Sequence, residues 1–102
     1  MLFMVIEHFR NQDPRPIGER FTLKGRMLPD GVVYISSWID PAQVRCFQVM
    51  EARSIDALHA WIARWDDLAD FEIIPVVTSQ EYWADPALSK DIADRTSKAG
   101  QQ

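Results

Sequence analysis

Between Arg45 and Glu51 the chain alternates in character at a period near two, the mark of a strand with two unlike faces. Phe47 and Val49 point one way, suited to packing under helices. Cys46, Gln48 and Met50 point the other, suited to lining a cavity of mixed polarity. Ahead of this strand, Leu2 to Phe9 is apolar at nearly every position until Glu7 and His8, and Phe3, Val5, Ile6 and Phe9 favour strand over helix. Asn11 to Pro16 breaks the chain, and a proline there suits the first helical position, where its missing N–H costs nothing. Ile17, Phe21 and Leu28 then fall on one helical stripe, with Lys24 or Gly25 at its gap, and Pro29-Asp30-Gly31 ends the helix in a turn.

Val32 to Asp40 reads as a second strand, joined to the Arg45 strand by Asp40-Pro41-Ala42-Gln43, residues suited to a type I turn. The hairpin register depends on loop length, because a slip of one residue moves every side chain to the other face. A three-residue loop, Pro41 to Gln43, places Tyr34, Ser36 and Trp38 with Cys46 and Gln48. It groups Val33, Ile35, Ser37 and Ile39 with Phe47 and Val49. A two-residue loop exchanges these partners. The first arrangement segregates apolar from mixed residues more cleanly and is the one expected.

Ser54 is suited to cap a helix, with Asp56 in its first turn. Ile55, Leu58, Trp61, Ile62, Trp65 and Leu68 recur at helical spacing, predicting an amphipathic helix over Ile55 to Leu68. Asp70 to Thr78 returns to strand, and Pro75 within it, unable to donate to a ladder, belongs at a sheet edge. Thr78 with Glu81 resembles a capping box that opens a short helix through Tyr82 and Trp83. The expected organisation is one domain over 1–85 and a polar tail over 86–102, partly helical or disordered.

Strand, helix, strand, strand, helix, strand is the βαββαβ plan of α+β ferredoxin-like domains. Right-handed crossovers predict an antiparallel sheet in the order 4-1-3-2. Both long helices then lie on one face. Yet Leu2, Met4 and Ile6 oppose Phe3 and Val5, and Ile74 and Val76 oppose Ile73 and Val77, so both faces are apolar. A symmetric homodimer with two sheets face to face covers the surplus.

Composition narrows the function classes. The 102 residues are 47% hydrophobic and 11% aromatic, enough for a packed core. Net charge is −4 and pI about 5.0, with Lys and Arg scattered, which argues against a nucleic-acid surface. One cysteine, Cys46, excludes an internal disulfide and fits a reducing cytosol. No apolar run approaches the roughly 18 residues of a membrane span, and the apolar opening lacks a basic flank and a cleavage site. The expectation is a cytoplasmic protein that engages neither membrane nor nucleic acid.

Met1-Leu2-Phe3-Met4-Val5-Ile6-Glu7, Lys24-Gly25-Arg26-Met27-Leu28-Pro29 and Arg45 to Glu51 resemble a family of small bacterial domains of unknown function. Trp61 to Trp65 and Phe71 to Val76 extend the resemblance, which covers roughly residues 1 to 80. Such domains are similar to the dimeric α/β-barrel superfamily, which includes muconolactone isomerases, small antibiotic-biosynthesis monooxygenases, and dye-decolourising or chlorite-converting haem enzymes. The resemblance implies a fold and a dimer, and carries over no active-site residue.

The candidate chemistry is sparse. Glu7 could act as a general base if an apolar cavity raised its pKa, or could be a rim carboxylate paired with Arg26, Arg45 or water. His8, its neighbour, points to the opposite face, and is either a second proton carrier or a solvated strand-end histidine. Cys46 lacks a neighbouring base in the sequence and reads as a buried structural thiol before a nucleophile. Gln48, a central-strand amide on an apolar face, must find partners, either a ligand or Ser36, Tyr34 or its dimer mate. Tyr34 and Trp38 could stack on a planar ligand, and Trp38 could equally fill a dimer interface. Tyr34, Trp38, Cys46 and Gln48 are therefore the ligand-binding candidates, and Glu7 and His8 the catalytic ones.

His8, His59 and Cys46 show no metal-ligand spacing, glycine-rich phosphate fingerprints are absent, and no cofactor is implied. Three functions remain: a homodimeric domain binding a small apolar or aromatic molecule, a cofactor-independent isomerase or monooxygenase, and a structural or protein-interaction module. Fold alone does not choose among them.

Overall fold

The structure, a computed structural model, describes residues 1–87. The polar tail expected from residue 86 thus lies, from residue 88 onward, outside the described residues. The elements are β1 (Leu2–Phe9), α1 (Arg15–Lys24), β2 (Val32–Asp40), β3 (Arg45–Ala52), α2 (Ile55–Ile62), β4 (Ala69–Val76) and α3 (Ser79–Ala84). The four strands form one antiparallel sheet in the order β2-β3-β1-β4, which from the β4 edge reads 4-1-3-2. The fold is α+β and ferredoxin-like. Pro75 lies on the edge strand β4, opposite Phe3, the position its missing N–H favours.

One sheet face is covered. Phe3, Val5, Met50, Leu58 and Trp61 form its core, each 2% exposed or less, between the sheet and α2. Ser54 caps α2 by accepting from the Ala57 N–H at 3.3 Å, and Thr78 caps α3 by accepting from Glu81 at 3.0 Å. The opposite face carries Leu2, Met4, Ile6, Phe47 and Val49, which the described residues leave only half-buried. Phe47 and Val49 were expected under the helices; Cys46, Gln48 and Met50 lie there instead, all buried.

Both long helices stop short of the expected ends. Helix α1 ends at Lys24 because Gly25, at φ +66, takes a left-handed conformation and returns its N–H to Phe21 O at 2.7 Å. Leu28 is consequently off the stripe and 37% exposed. Helix α2 ends at Ile62, and residues 63–68 wind on through i→i+3 turns. Their carbonyls serve other elements: Arg20 takes Arg64 O at 2.9 Å, Arg10 takes Asp66 O at 2.9 Å, and the Arg10 N–H takes Leu68 O at 3.0 Å. Trp65 is still carried inward, 5% exposed.

Helix α1 itself contains no buried residue. It is tied down by Arg20, whose guanidinium forks onto both Asp67 carboxylate oxygens at 2.7 Å, and by Ile17 against the core.

The hairpin also departs from expectation. Its loop has four residues, Pro41 to Val44, pinned by Asp40 Oδ1 accepting from Ala42 N and closed by Val44 at φ +52. The extra residue slides β2 by one position, so Trp38 pairs with Phe47, Ile39 with Cys46 and Ser37 with Gln48. A bulge between Tyr34 and Ser36 absorbs the slip, and Tyr34 pairs with Met50 on the covered face.

Candidate functional site

Two polar residues interrupt the covered face. Glu7 on β1 and Gln48 on β3 are 7% and 5% exposed, on the two central strands where no edge lets water in. The register pairs Val5 with Gln48 and Glu7 with Cys46, which makes Glu7 and Gln48 diagonal neighbours. Gln48 Nε2 donates to Glu7 Oε1. The pair meets the requirement that buried polar groups find partners.

Above the pair is a cavity of about 250 Å³ between the sheet and the helices. Its walls are largely aromatic: Phe9 from β1, Phe21 from α1, and Trp61 and Trp65 from α2 and the turn after it. Its polar lining is Glu7, Gln48, Cys46, Ser37 and Arg26. An apolar chamber with a few convergent polar groups is the usual form of a small-molecule site.

Burial dominates the titration of these groups. Desolvation raises the Glu7 carboxyl from its ordinary 4.5 to about 7, against the opposing pull of the Gln48 amide and the Arg26 charge. Glu7 is thus poised to hold or release a proton near neutral pH. The Cys46 thiol is pushed up to about 12, first by burial and then by the negative charge of Glu7. It stays a thiol at neutral pH, without the thiolate a nucleophile needs.

Arg26 is held from two directions. Its carbonyl accepts from Trp61 Nε1 at 2.9 Å and Trp65 Nε1 at 3.1 Å. Its guanidinium carbon lies 3.5 Å from the Tyr34 ring centroid and 5.1 Å from that of Phe21. Tyr34 is in turn fixed through its hydroxyl, 2.6 Å from Ser37 Oγ.

The sequence candidates therefore separate. Glu7, Cys46 and Gln48 line the cavity, and Tyr34 stands one contact behind it, under Arg26. Trp38 does not join them: the four-residue loop turns it to the uncovered face, 58% exposed. His8 also lies on that face, with Nε2 3.2 Å from Glu72 Oε2. Arg26, Ser37 and Phe21 were not foreseen as site residues. The two indoles, a helical turn apart, signal a need for acceptors, but only the folded chain shows that the Arg26 carbonyl supplies them.

Among the described residues no cluster of three or more His, Cys, Asp or Glu could hold a metal ion. No helix among them is long and apolar enough to cross a membrane. Residues 1–85 match the family described as a domain of unknown function, DUF3303. No curated protein matches the chain.

Proposed function

The chain belongs to the DUF3303 family of domains of unknown function, and we propose that it is a homodimeric domain that binds a small, largely apolar molecule between its sheet and its helices. The carrying observation is the buried Glu7–Gln48 pair at the floor of an aromatic-walled cavity of about 250 Å³. A polar pair buried purely for packing would be replaceable by apolar residues at little cost. At a cavity floor the same pair can orient a ligand's polar group while Phe9, Trp61 and Trp65 take its apolar body. The cavity suits a ligand of roughly one to two rings, below drug size.

Dimerisation is supported by the uncovered face. Trp38, Phe47 and Ile6 form one row across it, and Ser36, Val49, Met4 and Ile74 the next. Charged residues border these rows, with Glu51 at one end and Arg45, His8 and Asp70 at the other. An apolar centre with a charged rim is what a stable interface presents. A second copy laid sheet to sheet gives a dimeric α/β barrel with the ligand cavities outside the barrel interior. The single buried thiol is compatible with a cytoplasmic setting.

Glu7 also favours a second reading, a cofactor-independent proton-transfer enzyme of isomerase or monooxygenase type. A base with a pKa of about 7 on the buried floor of an aromatic-walled pocket is what such chemistry uses.

Binding is tested by titrating the full chain with naphthalene while following tryptophan fluorescence, because Trp61 and Trp65 line the cavity. Saturable quenching together with a raised Tm is expected. Unchanged fluorescence with an unmoved Tm overturns the binding reading.

A further inference from the structure

A purely apolar ligand makes no use of one group at the cavity. The Arg26 guanidinium lines it, is stacked between Tyr34 and Phe21, and donates to no acceptor among the described residues. Four other arginines hold carboxylates: Arg20 with Asp67, Arg45 with Asp40, Arg15 with Asp13, Arg10 with Asp70. Arg26 instead stands over the cavity, its charge acting on Glu7 and no hydrogen-bond acceptor among the described residues meeting its guanidinium. Glu7 is similarly half used, since Gln48 donates to Oε1 and no other residue among those described donates to Oε2.

We propose that the ligand is a weakly acidic planar molecule, a phenol or enol, whose hydroxyl proton passes to Glu7 Oε2 and whose oxyanion is held by the Arg26 guanidinium. This rests on the cavity being a small-molecule site. In the transfer the ligand O–H bond breaks, its electron pair stays on the ligand oxygen, and the proton bonds to the Glu7 carboxylate. Nothing is oxidised or reduced. Total charge within the cavity is unchanged, because the negative charge moves from Glu7 to the ligand beside a fixed cation.

The alternatives fit less well. A neutral hydrocarbon leaves the guanidinium without an acceptor in a site it has partly desolvated. A permanent carboxylate binds only when Glu7 first takes a proton from solvent, which grows costlier as pH rises above about 7. A weak acid answers to both groups without drawing a proton from solvent, since its own proton neutralises Glu7. Flatness follows from the walls: Trp61, Trp65, Phe9 and Phe21 offer ring surfaces. Arg26 is also preorganised. Two indoles grip its carbonyl and an aromatic ring lies under its guanidinium, so little further ordering is needed on binding.

The test uses the full chain near pH 8, where Glu7 is largely ionised and free 2-naphthol is protonated. The probes are 2-naphthol, naphthalene and 2-naphthoate, against wild type, Arg26→Gln and Arg26→Lys. We expect bound 2-naphthol to show the naphtholate absorbance band in wild type, with affinity lowered about tenfold in Arg26→Gln, a change of about 1.4 kcal/mol, and partly restored in Arg26→Lys. Naphthalene is the reference ligand: the ratio of naphthol to naphthalene affinity, lowered in Arg26→Gln, separates loss of the anion partner from loss of the cavity. Naphthol bound in its neutral form, or equally by both, overturns the proposal while naphthalene binding leaves the cavity reading standing. Naphthoate binding more tightly than naphthol overturns proton transfer to Glu7. If Arg26→Gln fails to fold, the wild-type spectrum decides, and absence of the naphtholate band overturns the proposal. Failure of all three probes to bind removes both readings together.

Discussion

Glu7 sits where the fold least wants a charge. In the unfolded chain its carboxyl ionises near 4.5, and in the folded chain near 7, with Gln48, Arg26 and Cys46 as its polar surroundings. The stability it contributes is therefore fully present below pH 4.5, falls as pH rises through about 7, and is level above that. The difference amounts to about 3 kcal/mol. Glu7→Gln keeps an amide facing Gln48 and removes the charge. Urea unfolding should find the variant more stable than wild type at pH 8 by up to about 3 kcal/mol, and close to it near pH 5. Equal pH slopes for the two proteins would refute the assignment. At this scale Glu7 and Gln48 were legible, because a polar residue in an apolar strand stands out. Arg26 was not, since its role arises from contacts with Tyr34, Phe21, Trp61 and Trp65, far apart in the chain.

Element by element, strands were read closely and helix ends less so. Strand β1 runs over the expected Leu2–Phe9, and β2 over the expected Val32–Asp40. The helices shortened because their terminal groups found better partners elsewhere: Gly25 turned left-handed, and the carbonyls after Ile62 went to Arg20 and Arg10. The hairpin loop gained Val44, which displaced Trp38 from the cavity face, and the bulge beyond it returned Tyr34. Loop length and bulge are decided jointly by both strands, and no local pattern announces them. The Ser54 cap, by contrast, is a local property and carries a local prediction. Ser54→Ala leaves the Ala57 N–H without its acceptor and should cost about 1 kcal/mol in urea unfolding, without moving the midpoint pH of Glu7. A loss near zero would mean that water replaces the cap.

For the molecule as a whole, the surplus of apolar sheet surface is the leading feature. Met4, Ile6, Phe47 and Val49 are only half-buried in the single chain, and Val33, Trp38 and Ile74 are exposed. Light scattering should give a mass of twice 11.8 kDa. Val49→Lys places a charge at the centre of the uncovered face, on a strand whose other side holds the core, so it should fold and return a single-chain mass. Wild type measured as a monomer would sink the dimer, while the cavity, built wholly within one chain, would keep its ligand test.

The sequence by itself determined the strand and helix order, the α+β plan, the caps at Ser54 and Thr78, and the presence of an acid and an amide among apolar neighbours. These follow from local periodicity and side-chain chemistry, which short stretches carry. Only the tertiary structure decided that Cys46, Gln48 and Met50 rather than Phe47 and Val49 face the helices, that Trp38 leaves the cavity, and that Arg26 enters it. Which face is covered depends on where the helices pack, and register depends on a loop and a bulge acting together. Both are properties of surfaces brought together from distant parts of the chain.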